Sequence, residues 1–403
     1  SPYVNSPTGV PMSVRTTEYD MTRSGLFTSL NADLGMNNLT VGGWYENNDF
    51  NQARRFYAYT SRTTPGRDHR KFMTNPFFTQ WEFEFNTKTI QYYVSDKISL
   101  GDTTINIGWK GFKVDNEATP LISGGRAAGK IKSQDWFQPH AGVAYKLTEK
   151  AEIFGGFTQV TRAFVSSATS GPFATTQAGF NALVTRDLKP ESSDTFELGA
   201  RYNDNVFNGV IGVYYVNFRN RLLGVQTDAG IVGNPAILQN VGSVRSLGFE
   251  AAGDVRLGGG MTLFASYSYT GATYRENVIT PTAVIATKGK EVVDTPKHLL
   301  RGEVAYDSDA FFGRVGANYM SKRYFNYLND RSVPSRVLVD ATVGYRIDAG
   351  LRAPLELQLN ATNLFGIDYV STIGSNGFGN SGDNQTLLAG SPRQVFVTLK
   401  AGF

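Results

Sequence analysis

From Leu355 to Thr362 the chain alternates without a break: Leu355, Leu357, Leu359 and Ala361 are apolar, and Glu356, Gln358, Asn360 and Thr362 between them are polar. Side chains of a β-strand switch sides with a period of two, so such a segment has one oily face and one wet face. The last segment repeats the pattern less sharply, setting Val395, Val397, Leu399, Ala401 and Phe403 against Phe396, Thr398, Lys400 and Gly402. This is the dyad pattern of a strand with lipid on one side and a hydrated lumen on the other. It narrows the fold sharply, because in lipid only helices and closed barrels satisfy every backbone hydrogen bond. No stretch reaches the roughly 18 consecutive apolar residues a membrane helix needs, since Thr, Asn, Gly or a charge interrupts each apolar run. If this chain crosses a membrane, it does so with strands.

The same pattern recurs along the chain in about fifteen strand-like segments, joined by connections that alternate between short and long. Composition fits: 43 Gly, 20 Tyr and 27 Phe among 403 residues, with only 18% charged, supply the rings and turn residues of many twisted strands. Gln80 to Leu100 is the exception, with Trp81, Phe83 and Phe85 on its odd face and Ile90, Tyr92, Val94, Ile98 and Leu100 on its even face. A bulge near Thr87 is predicted to reconcile the two phases. Val114 to Asp135 reads as a long loop, and Val206 to Val225 as one strand. The fold expected is all-β, a transmembrane antiparallel β-barrel. In such barrels short turns lie in the periplasm and longer loops outside the cell. Placing Phe403 in the periplasm and counting back puts Ser1 outside. An odd count predicts that residues 1–403 are the carboxy-terminal portion of a larger barrel, begun within an extracellular loop. The first residues, SPYVNSPTGVP, carry no signal peptide pattern.

Five segments, in order, resemble the recurring strand signatures of TonB-dependent outer-membrane receptors: LKPESSDTFELGARY (188–202), NVGSVRSLGFE (240–250), TPKHLLRGEVAY (295–306), NATNLFGIDYV (360–370) and SPRQVFVTLKAGF at the end. The resemblance implies a 22-stranded barrel in the bacterial outer membrane, plugged by an amino-terminal domain, the plugged-lumen class. It implies import of a scarce nutrient, a ferric siderophore first, with energy transmitted by the TonB protein. Plug and TonB-contacting motif would precede Ser1. The implied partners are the lipid bilayer, the absent amino-terminal barrel and plug portion, TonB through that portion, and a small-molecule ligand such as a metal chelate. A passive porin is the alternative.

Charges on the polar faces are expected to line the lumen: Glu197, Arg201, Glu250, Arg256, Arg301, Glu303, Arg314, Asp340, Arg346 and Glu356. Three on one strand, Glu250, Asp254 and Arg256, are incompatible with a dry core. Rings and guanidiniums in the extracellular loops are the groups that could hold an anionic or aromatic ligand by charge and stacking. The candidates are Arg54, Arg55 and Tyr57 with Arg62 and Arg67; Trp136; Phe173 and Phe180; Tyr274 and Arg275; and Tyr324, Tyr327 and Arg331. Other chemistries find less support. Zero cysteines exclude disulfides and thiolate metal sites. The three histidines, His69, His140 and His298, are far apart, so no metal centre or cofactor is expected. No nucleophile and base cluster on adjacent strands, which argues against an enzyme. The net charge of +4 is interspersed rather than blocked, which argues against nucleic acid as a partner.

Overall fold

The computed structural model describes residues 6–8, 13–58, 71–185, 188–225, 237–240, 242–279, 284–348, 350, 353–374 and 386–402. Fifteen strands form one sheet: β1 Ser13–Leu34, β2 Asn37–Ala58, β3 Phe78–Leu100, β4 Thr103–Ile122, β5 Gly129–Lys146, β6 Ala151–Thr161, β7 Ser192–Asn203, β8 Phe207–Arg219, β9 Val244–Gly258, β10 Met261–Tyr274, β11 His298–Asp307, β12 Phe311–Met320, β13 Arg336–Ile347, β14 Ala353–Thr362 and β15 Gln394–Gly402. Each pairs antiparallel with its neighbour in chain order. Among the described residues, β1 pairs only with β2 and β15 only with β14, so the sheet has two open edges. Phe403 lies outside the described residues.

At one end of the sheet the connections are tight. β1 turns into β2 through Gly35 at φ 82°, and β9 turns into β10 through Gly258, Gly259 and Gly260 at 83°, 59° and 84°, left-handed conformations that glycine adopts without steric penalty. The opposite end carries the long connections. Some hold small hairpins, such as Val278–Ile279 with Val284–Ile285 and Arg323–Tyr324 with Ser332–Val333. One holds the single α-helix among the described residues, α1 Gln177–Thr185.

The register aligns the apolar rows. Ala200, Ile211, Ala251, Tyr267, Leu300, Tyr319 and Val337 form one continuous row across seven strands. On the same face Leu198, Val343, Leu359 and Val397 are each 47% exposed or more, the state of a side chain whose neighbour is lipid. Buried hydrophobic groups collect instead at the long-loop end, in two clusters. One comprises Trp81, Phe83, Phe85, Ala118, Ala127, Ile131, Ala168, Phe173 and Phe180. The other is built on Val244, Tyr274, Val292, Val293 and Tyr327.

Three local expectations are corrected. β3 runs through Thr87 without a bulge: Thr87 pairs with Asn48 on one side and Asn116 on the other, and the irregularities lie at Arg54/Arg55 and Glu82/Phe83. The backbone keeps its phase; it is the surroundings that change, from lipid outside to a packed cluster inside. Residues 114–135 are not a loop, because β4 continues to Ile122 and β5 begins at Gly129. The segment 206–225 is two strands, since Asn220 turns left-handed at φ 55° and Leu222–Val225 leaves the sheet to pair with Ile237–Asn240.

Candidate ligand-binding site

The upper inner face of β1–β5 is built around a segment that folds back against it. Residues 164–180 lie along the inner sides of β2, β4 and β5, held by buried polar groups. Gln52 Oε1 accepts from the Ala168 backbone N–H at 2.8 Å and from the Ser167 hydroxyl at 3.1 Å. Ser133 Oγ accepts from the Phe164 backbone N–H at 3.0 Å. Arg126 Nε donates to the Ala168 carbonyl at 2.8 Å. Each satisfies a group whose burial would otherwise carry a desolvation cost. Inside this frame runs a ladder of rings: Tyr19 on Phe50 at 5.7 Å, Phe50 on Phe85 at 5.8 Å, Phe85 on Phe173 at 5.9 Å, and Phe173 on Phe180 at 5.3 Å.

At the top of the ladder the fully buried Trp81 has two guanidiniums over its ring, Arg54 at 5.2 Å and Arg126 at 4.8 Å. Burial, then the neighbouring Arg15, holds the Arg54 guanidinium below its usual range. Burial, then Arg54, brings Arg126 down to about 10. Arg54 Nη2 has a long 3.4 Å contact with Thr17 Oγ1, while its Nε and the Trp81 indole N–H are buried with no partner. Two like charges gathered on a buried indole, with only Arg54 Nε and the Trp81 N–H lacking partners, concentrate positive charge at this end of the inner face, which favours an anion there.

The predicted ligand residues separate. Arg54, Arg55 and Tyr57 lie in β2 rather than in a loop, and only Arg54 faces inward. Arg55 faces outward between Glu18 at 2.5 Å and Glu82 at 2.7 Å, and the Tyr57 hydroxyl donates to Glu18 at 2.6 Å. Trp136 lies in β5, outward, stacked on Tyr92 at 6.3 Å. Phe173 and Phe180 are buried in the cluster described above. Tyr274 and Tyr327 pack edge-to-face at 6.0 Å inside the second cluster. Arg275 and Arg331 are exposed and Tyr324 is half-buried, the last accepting a hydrogen bond from the Lys322 ammonium at 3.0 Å. Arg62, Arg67 and His69 lie outside the described residues. Sequence reasoning missed Trp81 and Arg126. The signals were the W-E-F-E-F alternation and an arginine beside the tight glycine turn Gly124–Gly125.

All ten charges predicted for the lumen share the face opposite the apolar rows. Several are paired. Arg201 meets Glu152 at 3.2 Å and lies 4.8 Å over the Phe154 ring. Arg346 spans Asp307 at 2.5 Å and Glu356 at 3.3 Å, 4.6 Å over the Phe312 ring. Arg301 meets Glu303 at 3.0 Å. A cavity of about 210 Å³ opens beside Arg301, Glu303, Arg314, Asp340 and Asn360. Glu197, Glu250 and Arg256 occupy the same face on β7 and β9.

A lipid-belted antiparallel sheet with a polar inner face is the wall of an outer-membrane β-barrel. The particular barrel follows from comparison: the family model described as TonB dependent receptor-like, beta-barrel, matches residues 1–364, and the chain belongs to that family. Its members are outer-membrane β-barrel receptors, transport proteins rather than enzymes, and this membership displaces the porin alternative. The ferric-pyoverdine M114 receptor PbuA of Pseudomonas sp. (strain M114) is 26% identical over 308 residues, covering 74% of this chain and 33% of that protein. The unliganded ferric citrate transporter FecA superposes with a TM-score of 0.71 at 20% identity, covering 96% of this chain and 55% of that one. The siderophore receptor PiuA from Acinetobacter baumannii does so at 0.71 and 19% identity, covering 96% and 56%. The chain therefore spans a third of PbuA and a little over half of each of the two solved relatives.

Proposed function

We propose that this chain is the carboxy-terminal part of an outer-membrane receptor that captures an anionic ferric chelate and imports it with energy transmitted by TonB. The observation that carries the reading is the pair of guanidiniums over Trp81, facing inward at the long-loop end. Siderophore-type chelates carry negative charge, which is the chemistry this pair suits. The names of the relatives, a ferric-pyoverdine receptor among them, support the same class. Two open sheet edges and the share of each relative covered support a barrel closed by further strands. The plug and the TonB contact belong to that larger protein.

The test uses the full-length receptor with ferric pyoverdine and ferric citrate as probes. Arg54→Ala should weaken binding of the preferred chelate about tenfold or more, as loss of a central charged anchor does. Unchanged affinity would move the site elsewhere. Dissipating the proton motive force should abolish uptake while leaving surface binding intact; uptake that continued at full rate would sink the active-receptor reading.

A further inference from the structure

The upper inner wall holds a buried amide whose side-chain bonds all go to one short stretch of chain. Gln52 is 1% exposed and points inward from β2, between Tyr19 of β1 and Phe83 of β3 in the register. An unbonded amide among such rings would carry a desolvation cost. Its Oε1 accepts from the Ala168 N–H and the Ser167 hydroxyl, and its Nε2 donates to Thr169 Oγ1 at 3.3 Å. Ala168 is also held at its other end, because its carbonyl accepts from Arg126 Nε at 2.8 Å. One residue of the inserted segment thus joins the wall, two positions from Arg54, to the second guanidinium on Trp81.

The backbone of the turn that carries Arg126 is anchored separately. The Ala127 N–H donates to the Thr175 carbonyl at 3.0 Å, and the Gln177 amide bonds both the N–H and the carbonyl of Ala128, at 2.9 and 3.1 Å. Loss of the Gln52 bonds therefore leaves the turn in place and lets the Arg126 guanidinium drift from the ring. Arg126 is 5% exposed, so its charge acts through a poorly screened interior. Moving a charge from about 6 to about 9 Å from an anion changes affinity about fivefold at an effective dielectric of about 20. We infer that Gln52 is a positioning residue for anion capture, setting through Ala168 where the Arg126 guanidinium stands over Trp81. This rests on the capture site proposed above.

The experiment is a double-mutant cycle on the full-length receptor, read as affinity for whichever of ferric pyoverdine and ferric citrate the wild type binds more tightly. A second, ligand-free readout is the fluorine NMR resonance of fluorotryptophan at Trp81, assigned by its loss in Trp81→Phe. Gln52→Met, which keeps the volume and removes the acceptor, should weaken binding about fivefold and shift that resonance. Arg126→Lys, which keeps the charge but not the Nε bond, should do the same. In an Arg126→Ala background Gln52→Met should change neither readout further, whereas in Arg54→Ala its effect should persist. Wild-type affinity in Gln52→Met, with Arg54→Ala weakened, overturns the inference alone. So does a loss that survives in Arg126→Ala, the mark of a prop for the whole wall, or one that vanishes in Arg54→Ala, the mark of action through Arg54. Wild-type affinity in Arg126→Lys overturns it too, however Gln52→Met folds. Unchanged binding by Arg54→Ala, or no binding of either chelate by the wild type, would instead remove the capture site, and this inference with it.

Discussion

The two ends of this sheet solve different problems with the same alternation. β1, β2 and β3 are 22, 22 and 23 residues long, whereas β11, β12 and β14 are 10 each. A tilted strand crosses the hydrocarbon in about 9–11 residues, so the later strands stop near the bilayer surface and the early ones continue well beyond it. In the short wall one pattern prevails: the outer row is apolar and the inner row largely polar, with inward rings such as Phe264 and Phe312 lying under guanidiniums. In the tall wall it inverts partway up. Below, Ile90, Tyr92 and Val94 face lipid; above, Trp81, Phe83 and Phe85 turn to the inside cluster while Glu82, Glu84 and Lys88 face water. Solvent on the outer side, not backbone geometry, sets which face is oily.

The largest test of that contrast is Phe85→Ala. Phe85 is 2% exposed within a packed cluster, so its loss should destabilise the upper wall by about 3–5 kcal/mol, read as faster hydrogen exchange or proteolysis of the extracellular segments. Leu357→Ala, on the lipid face of β14, should cost clearly less, because lipid fills the space. Comparable costs would mean that the two walls are packed alike.

Next in size is a charge on the outer face. Leu357→Arg should cost about 2–4 kcal/mol when folding into liposomes is followed, as for arginine near the bilayer midplane. Glu84→Arg, on the outer face of the tall wall, should cost close to nothing. A large penalty at Glu84 would place lipid around the upper strands and break the inversion.

The smallest effect is a pH dependence confined to the tall wall. Burial pushes the Glu18 carboxyl up, but hydrogen bonds from Tyr57, Thr16 and Arg55 outweigh it and hold the group below its usual value. Burial and then the Glu18 carboxylate push the Tyr57 hydroxyl up to about 12. A raised folded pKa gives stability that is complete below the unfolded value of about 10 and lost as pH rises through the folded one. Loop protection around Tyr57 should therefore weaken between pH 10 and 12 in the wild type and much less in Tyr57→Phe. The same slope in both would assign the transition to other groups.

Much of this was legible in the chain because period-two patterning is a local property. The strand runs, the short turns at Gly35 and Gly101, and the common face of charges such as Arg301, Glu303 and Arg346 can be read from spacing alone. The odd phase of Trp81, Phe83 and Phe85 was visible too, but a pattern of polarity cannot distinguish a bulge from a change of solvent. Arg54 and Arg55 show the other limit, since adjacent residues on a strand point to opposite sides and only the register says which is which.

What the sequence determined by itself is the alternation, and with it a sheet having lipid on one side and water on the other, because that follows from side-chain direction along each strand. What the tertiary structure decided is where the two environments meet and which distant groups share them. Arg54 and Arg126 are 72 positions apart and come together on Trp81 because β2 pairs with β3, β3 pairs with β4, and the β4–β5 turn carries Arg126 over the ring, a meeting of distant groups that the alternation within any one strand does not specify.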